Sequence, residues 1–274
     1  MPLEERSTIV ATAEGQGAEA VAEDLLNILE PLRAKLVLAQ AGASYMTGLV
    51  GNISIPAYSG SQVTWEGEVA DAKDGAGTFT EVKLEPHRLT AYIDLSKQFL
   101  IQDSVSAEEM LKRDIVNAIA NKLEATILGS ETIVNAPEGM LNGVVADGSA
   151  ITYEDIVAME TELEEANVRG DIKFVVSPSA KAVLKTTKLD AGSGKFAMEG
   201  NEVNGYPVLC TSAVAGKGVI YGNFNDLVIG QWGGIDLTVD PYTQAANGKV
   251  RLVINAYFDA KPRRAESFVK KILA

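Results

Sequence analysis

The sequence predicts an α+β fold in which one long helix separates two unlike regions. Three observations carry that reading. A helical period runs unbroken through residues 106–129, and a period-two pattern fills residues 62–96. Short apolar runs then alternate with helical ones over residues 142–239, which suits a small sheet with helices packed on it.

Taken in order, residues 1–24 read as an extended arm. Residues 7–17 are small and polar without a sustained period, so this stretch has little to order it alone. Residues 25–38 are more apolar, but Pro31 breaks any helix there. Ile53, Ile55 and Pro56 suggest a short strand ending in a turn at 58–61.

Residues 62–96 read as a long hairpin. Val63 and Trp65 alternate with Thr64 and Glu66, Val82 and Leu84 with Glu81, Lys83 and Glu85, and Leu89, Ala91, Ile93 and Leu95 with Thr90, Tyr92 and Asp94. Asp74-Gly75-Ala76-Gly77 supplies the turn. One face of the arms is too polar for a core, and isolated two-stranded ribbons are marginal in water. A covering surface from outside the subunit is therefore expected.

The long helix is expected over residues 107–128. Ser106 and Glu109 form a capping-box pair, and Met110, Leu111, Ile115, Ala118, Ile119, Leu123 and Ile127 share one face. Glu108–Lys112 and Glu109–Arg113 are acid-first i,i+4 pairs, and Gly129 is placed to stop the helix. At about 1.5 Å per residue such a rod is about 33 Å long.

Beyond it, residues 136–141 form a loop with Pro137 and Gly139. A second helix starts at Thr152 with Asp155 and runs to about Asn167, with Ile156, Met159 and Leu163 on one face. Phe174 to Val176 is a short apolar strand, and Pro178 opens a third helix through Leu184. Residues 188–205 form a loop with four glycines. Strands follow at 207–209, 219–221, 227–229 and 235–239, separated by Gly and Asn turns. Residues 249–258 alternate most cleanly of all, Pro262 ends that run, and 268–273 is a final strand. There is no internal repeat.

Composition excludes several classes of function. No run approaches the roughly 20 apolar residues that cross a bilayer, and residues 1–16 lack the apolar stretch of a signal peptide. A soluble chain without membrane association is expected. With one cysteine, Cys210, and one histidine, His87, there is no disulfide framework, and metal sites and Ser–His or Cys–His catalysis are nearly excluded. Cys210 reads as a small core residue. A net charge of −13 argues against gripping nucleic acid. The charge is uneven: residues 1–24 hold six acids and one base, and residues 249–274 hold seven bases and two acids, which suits contact between copies.

Gly192-Ser193-Gly194-Lys195 fails as a phosphate loop, since Leu189 stands where the first glycine belongs and Phe196 follows the lysine. Glu160, Glu162, Glu164 and Glu165 read as a solvated helix face, because calcium ligands come from turning loops. Trp65 and Trp232 read as packing residues. No residue emerges as catalytic, cofactor-binding or metal-binding.

The order of parts carries more than any motif. The long helix opens Ser-Ala-Glu-Glu-Met-Leu. It is followed by Pro137-Glu138-Gly139-Met140-Leu141, then by Phe174-Val175-Val176-Ser177-Pro178-Ser179-Ala180. Gly205-Tyr206-Pro207-Val208 and Tyr221-Gly222-Asn223-Phe224 complete the series. In this order, from about residue 25 to 273, the chain resembles the tailed-phage major capsid proteins of the Hong Kong 97 type.

That resemblance implies an N-terminal arm (1–24) crossing a subunit boundary and an extended β-hairpin loop (62–96) lying over a neighbour. It implies a peripheral domain (25–61, 97–141 with the long spine helix, and 240–274 with the C-terminal strands) and an axial domain (142–239) meeting its copies around five- or six-fold axes. The implied function is a structural shell subunit without catalysis or cofactor. It would self-assemble into hexamers and pentamers of an icosahedral capsid around double-stranded DNA, in the virion, after assembly in the cytoplasm of a bacterial host. Portal, scaffold, maturation protease and decoration proteins are its implied partners.

Many family precursors carry a scaffolding segment ahead of the arm. This sequence starts near the arm, which fits a processed form, a shortened chain or a separate scaffold. Some members join a loop lysine to an asparagine with a glutamate's help. Lys73 or Lys83 with Asn247 offer two of the three groups, but residues 249–258 hold no glutamate, so no crosslink is expected. The rival readings are an encapsulin-type compartment shell, a small-molecule enzyme on the α/β segment using Asp190, Lys195 and His87, and a monomeric binding module.

Overall fold

The computed structural model describes residues 36–58, 61, 63–66, 68–69, 71–98, 105–146, 151–190, 192 and 194–273, with the side chains of 57, 58 and 105–112 outside the description. The expected arm at 1–24 and the apolar stretch to residue 35 therefore lie outside the described residues, as do Gln62, Gly67 and Ser193.

The chain divides into two compact units. The first comprises Met1–Lys35, Thr90–Ala120 and Gly234–Ala256, and the second Leu36–Leu89, Asn121–Gly233 and Tyr257–Ala274. The second unit opens with α1 (Val37–Ala41) and β1 (Ser44–Leu49), then β2 (Ile53–Tyr58) and β3 (Phe79–Leu84). β4 is His87–Ser96, and α2, the long helix, is Val105–Ile127. Then come α3 (Tyr153–Glu165), β5 (Ile172–Val176), α4 (Pro178–Thr186), β6 (Met198–Glu199), β7 (Glu202–Val203), β8 (Tyr206–Cys210) and β9 (Gly218–Asn223). β10 (Leu227–Asp240), β11 (Lys249–Pro262) and β12 (Phe268–Ile272) close the chain.

α2 confirms the expected rod, shifted at both ends. It begins at Val105, so the backbone puts Ser106 inside the first turn, while the capping-box side chains fall outside the description. Ile115, Ile119, Leu123 and Ile127 are buried as their spacing required, whereas Ala118 is exposed and Val116, Ala120 and Glu124 are buried beside them. Gly129 ends the helix by a different route from the expected left-handed cap, since its φ is not positive. It packs where the backbone of 136–141 comes close: a Cβ on Gly139 would stand 2.3 Å from the Gly129 carbonyl oxygen.

The α/β region is a six-stranded sheet in the order β12-β9-β5-β8-β7-β6. β5 runs parallel to β8 and antiparallel to β9. Phe174, Val175 and Val176 are all fully buried, as befits a central strand covered on both faces. Ile156, Met159 and Leu163 of α3 and Ala180 and Leu184 of α4 pack with Phe174, Val176, Val208 and Tyr221 in one core. Both helices start where the sequence placed them, at Thr152 and at Pro178, and the structure adds a Ser177 cap to the second. Thr152 and Asp155 form a reciprocal capping box, and Ser177 accepts the Ala180 N–H at 3.1 Å with Pro178 in the first turn. Asn167, at φ 53°, turns the chain just beyond α3.

Four expectations about β-structure need correction. The hairpin arms are β2 and β3, paired antiparallel from Ile53↔Leu84 to Tyr58↔Phe79, whereas Val63–Glu66 forms no strand. β4 leaves the ribbon for a four-stranded sheet in the order β1-β10-β11-β4. Alternation identifies a strand but not its partner, so the equal periods of 62–66, 81–85 and 89–95 could not be sorted by sequence. The expected strands at 227–229 and 235–239 are one 14-residue strand, β10, because Gly233 at φ +63° bends the backbone without ending it. The final strand, β12, pairs with β9 from Phe268↔Gly222 to Ile272↔Gly218 and so belongs to the six-stranded sheet, not with the strands before it.

Candidate functional site

The β2–β3 ribbon of the second unit has a fixed root and a bare tip. At the root, Leu84 is fully buried with Val228 and Trp232, and Met46, Leu49, Ile53 and Ile55 pack against them. The Trp232 indole N–H donates to the Gly51 carbonyl at 2.5 Å, so this tryptophan is a packing residue as expected.

Asp259, wholly buried on β11, ties the root to the strand that follows. Its carboxylate accepts the Glu85 N–H at 2.9 Å and the Ala260 N–H at 2.8 Å, and the His87 Nε2 lies 3.9 Å away. Beside it, the Lys261 ammonium donates to the Lys83 carbonyl at 2.8 Å. A buried carboxylate needs such donors, since an uncompensated one costs several kcal/mol.

The tip is the reverse. Among the described residues between β2 and β3 there is no strand; the Ala76 N–H donates to Asp74 Oδ1 at 2.9 Å, and Lys73 pairs with Glu66 at 2.9 Å. Val63 is 95 % exposed, Trp65 102 %, Val69 99 % and Phe79 77 %. Trp65 thus departs from the packing role expected of it. Covering a large apolar side chain gains about 1.5–3 kcal/mol, so these four together favour a partner by several kcal/mol. Several exposed apolar groups along one segment are what a contact surface presents.

The basic C-terminal stretch is less free than its composition implied. In the first unit, Arg251 holds Asp94 in a two-pronged pair at 2.7 and 2.9 Å and stacks 4.2 Å from the Tyr92 ring centroid. That guanidinium holds the Asp94 carboxyl below its ordinary range. In the second unit, Lys271 bonds Asp155 at 2.9 Å, Lys261 is used at the ribbon root, and Arg264 donates to the Ala166 carbonyl at 2.9 Å. Burial pushes the half-buried Lys270 ammonium down. These cations serve the subunit's own fold, which leaves less charge for a neighbouring acidic segment.

The positions weighed for chemistry each have local partners. Asp190 Oδ1 accepts the Gly192 N–H at 2.7 Å, and the Lys195 carbonyl accepts the Leu189 N–H at 3.1 Å, so both close their own loop, while His87 sits beside Asp259. Cys210 is exposed and not core: β8 ends there, and Val208 is the last of its alternating set to be buried. Glu162, Glu164 and Glu165 are exposed as expected, but Glu160 is half-buried and bonded by Asn204 at 2.7 Å. Among the described residues no group of three or more His, Cys, Asp or Glu side chains is placed to hold a metal ion. No helix among them is long and apolar enough to cross a membrane.

Two buried acids escaped the sequence reading. Asp259 sits in the alternating run of β11, where one acid among apolar neighbours was its only signal. Glu124 continues the buried i,i+4 row from Val116 through Ala120, and that spacing was visible.

The family model described as "Phage capsid family" matches residues 21–271. The major capsid protein of Halomonas phage phiHAP-1 is 28% identical over 247 residues, covering 87% of this chain and 41% of that protein. The major capsid protein of Klebsiella oxytoca phage phiKO2 is 24% identical over 251 residues, covering 83% and 59%. The chain spans about half the length of these curated relatives. Among solved structures, the capsid of a native GTA particle superposes with a TM-score of 0.72 at 18% identity, covering 86% of this chain and 88% of that one. A chain from Gordonia phage Cozz superposes with a TM-score of 0.66 at 13% identity, covering 87% and 86%. At these identities the likeness shows a shared mixed helix-and-sheet fold.

Proposed function

The chain belongs to the phage capsid family, and from that premise we propose that it is a shell subunit acting by self-assembly, without catalysis. In this reading copies form the hexamers and pentamers of an icosahedral capsid of the Hong Kong 97 type around double-stranded DNA. α2 is the spine helix, the six-stranded sheet with α3 and α4 is the axial domain, and residues 1–24 are the arm. The β2–β3 ribbon is the extended loop, lying over a neighbouring subunit. Assembly takes place in the host cytoplasm, and portal, scaffold, maturation protease and decoration proteins are the partners of the finished particle. A net charge of −13 suits a wall that contains a polyanion without gripping it.

One observation carries the proposal: the ribbon is anchored at its root and presents Trp65, Val63 and Val69 almost bare at its tip. Repeated over many copies, such modest contacts add up to a stable shell. Electron microscopy and sedimentation of the purified protein test it. Rings or closed shells are expected, and Trp65→Glu is expected to weaken them while leaving the far-UV circular dichroism of the subunit unchanged. A single species of 29.1 kDa at every concentration would overturn the proposal.

A further inference from the structure

α1 is five residues long and is the first element after residues 1–35 in the chain. A helix this short does not hold itself together in water, because nucleation costs more than one turn returns. The Val37 and Leu38 N–H groups have no partner within the helix, and its N-cap, Leu36, offers no side-chain acceptor.

Both ends are instead held by side chains from distant elements of the same unit. Glu124, on α2, accepts the Leu38 N–H at 3.1 Å and also bonds the Val37 N–H and the Thr211 side chain. At the other end the Lys173 ammonium, on β5, donates to the Gln40 and Ala41 carbonyls at 3.2 and 3.3 Å and pairs with Asp171 at 2.7 Å. Gly42 then turns the chain at φ +105° toward β1, where Ser44 Oγ donates to the Asn225 carbonyl at 2.9 Å.

Glu124 is 6 % exposed, and its carboxylate has backbone N–H groups and a hydroxyl as partners, with no cation beside it among the described residues. Burial raises its pKa, so the charge is kept there at a cost. α1 and its N-cap bury Leu36, Leu38 and Ala41, and none of these belongs to the core around Phe174 and Tyr221.

We propose that Glu124 and Lys173 form a two-ended clasp on α1, so that residues 36–42 dock and undock as a unit independent of the six-stranded sheet. Both are positioning residues. The inference does not depend on what the assembled protein encloses.

Native-state hydrogen exchange on the full chain at one pH tests it. In the wild type, the amides of 38–42 are expected to exchange through a smaller opening than those of Val175 and Ile220. Glu124→Ala and Lys173→Met are each expected to speed the α1 amides at least about tenfold, the loss that goes with unpaired buried groups. Core amides should stay within about twofold. Glu124→Gln, which keeps one acceptor oxygen, should fall between wild type and Glu124→Ala. The proposal is overturned if the α1 amides exchange only with the core, if both variants leave them unchanged, or if both sets accelerate together. Should Glu124→Ala fail to fold, Lys173→Met acts at the opposite end and carries the same comparison.

Discussion

Replacing Asp155 by Asn separates a charge from a shape at the start of α3. Asp155 Oδ2 accepts the Thr152 N–H and hydroxyl, each at 2.7 Å, while Oδ1 accepts from the Lys271 ammonium at 2.9 Å. These contacts, the Thr152 backbone bond first and the Lys271 bond second, hold the carboxyl at about 2 against an ordinary 3.8. At about 1.36 kcal/mol per unit that is a ceiling of about 2.4 kcal/mol. The side chain is 30% exposed, and solvent screening reduces the expected loss to about 1–2 kcal/mol. The native pKa is depressed, so the stabilisation is complete above 3.8 and disappears as pH falls through about 2. By pH 3 about half of it should be gone. The assay is urea unfolding followed by near-UV circular dichroism, which reads the Phe174–Tyr221 stack at 4.2 Å and Tyr206 beside it. Asp155→Asn should unfold at lower urea than wild type at pH 6, with the gap shrinking toward pH 3. A gap of the same size at both pH values would refute the electrostatic account.

Three further outcomes follow from the packing. Leu163→Ala, at a site 1 % exposed in the α3 core, should cost about 2–5 kcal/mol in the same urea assay. Asp259→Ala leaves the Glu85 and Ala260 N–H groups without an acceptor, a loss of about 1–3 kcal/mol for each group, and should accelerate hydrogen exchange at the Glu85 amide. Gly139→Ala forces a methyl to 2.3 Å from the Gly129 carbonyl, and overpacking of this kind costs about 1–3 kcal/mol, read as a lower midpoint of thermal unfolding.

The legible parts of this protein were those fixed over a few residues. Thr152 with Asp155, and Pro178 in a first turn, announced two helix starts because such signals act within one turn. Ile115, Ile119 and Leu123 gave the buried stripe of α2 because spacing alone sets a helical face. The candidate surface was only half legible. The ribbon was expected to need outside cover, yet its arms were misassigned and Trp65 was taken for a packing residue. Val63–Glu66 and Leu89–Leu95 alternate as well as true partners do, and the free energy that sorts them comes from contacts the alternation does not encode.

The sequence by itself determined which stretches are helix or strand over most of the described chain, the poverty of catalytic side chains, and the order of parts by which the chain resembles its family. Tertiary structure alone decided that β12 joins β9, that Ile53 faces Leu84, that Cys210 reaches solvent, and that Glu124 and Asp259 are buried acids. The division has one cause. A residue's neighbours along the chain limit its dihedral angles and its face, but which distant backbone approaches it, and whether water is then excluded, is settled by the packing of the whole unit.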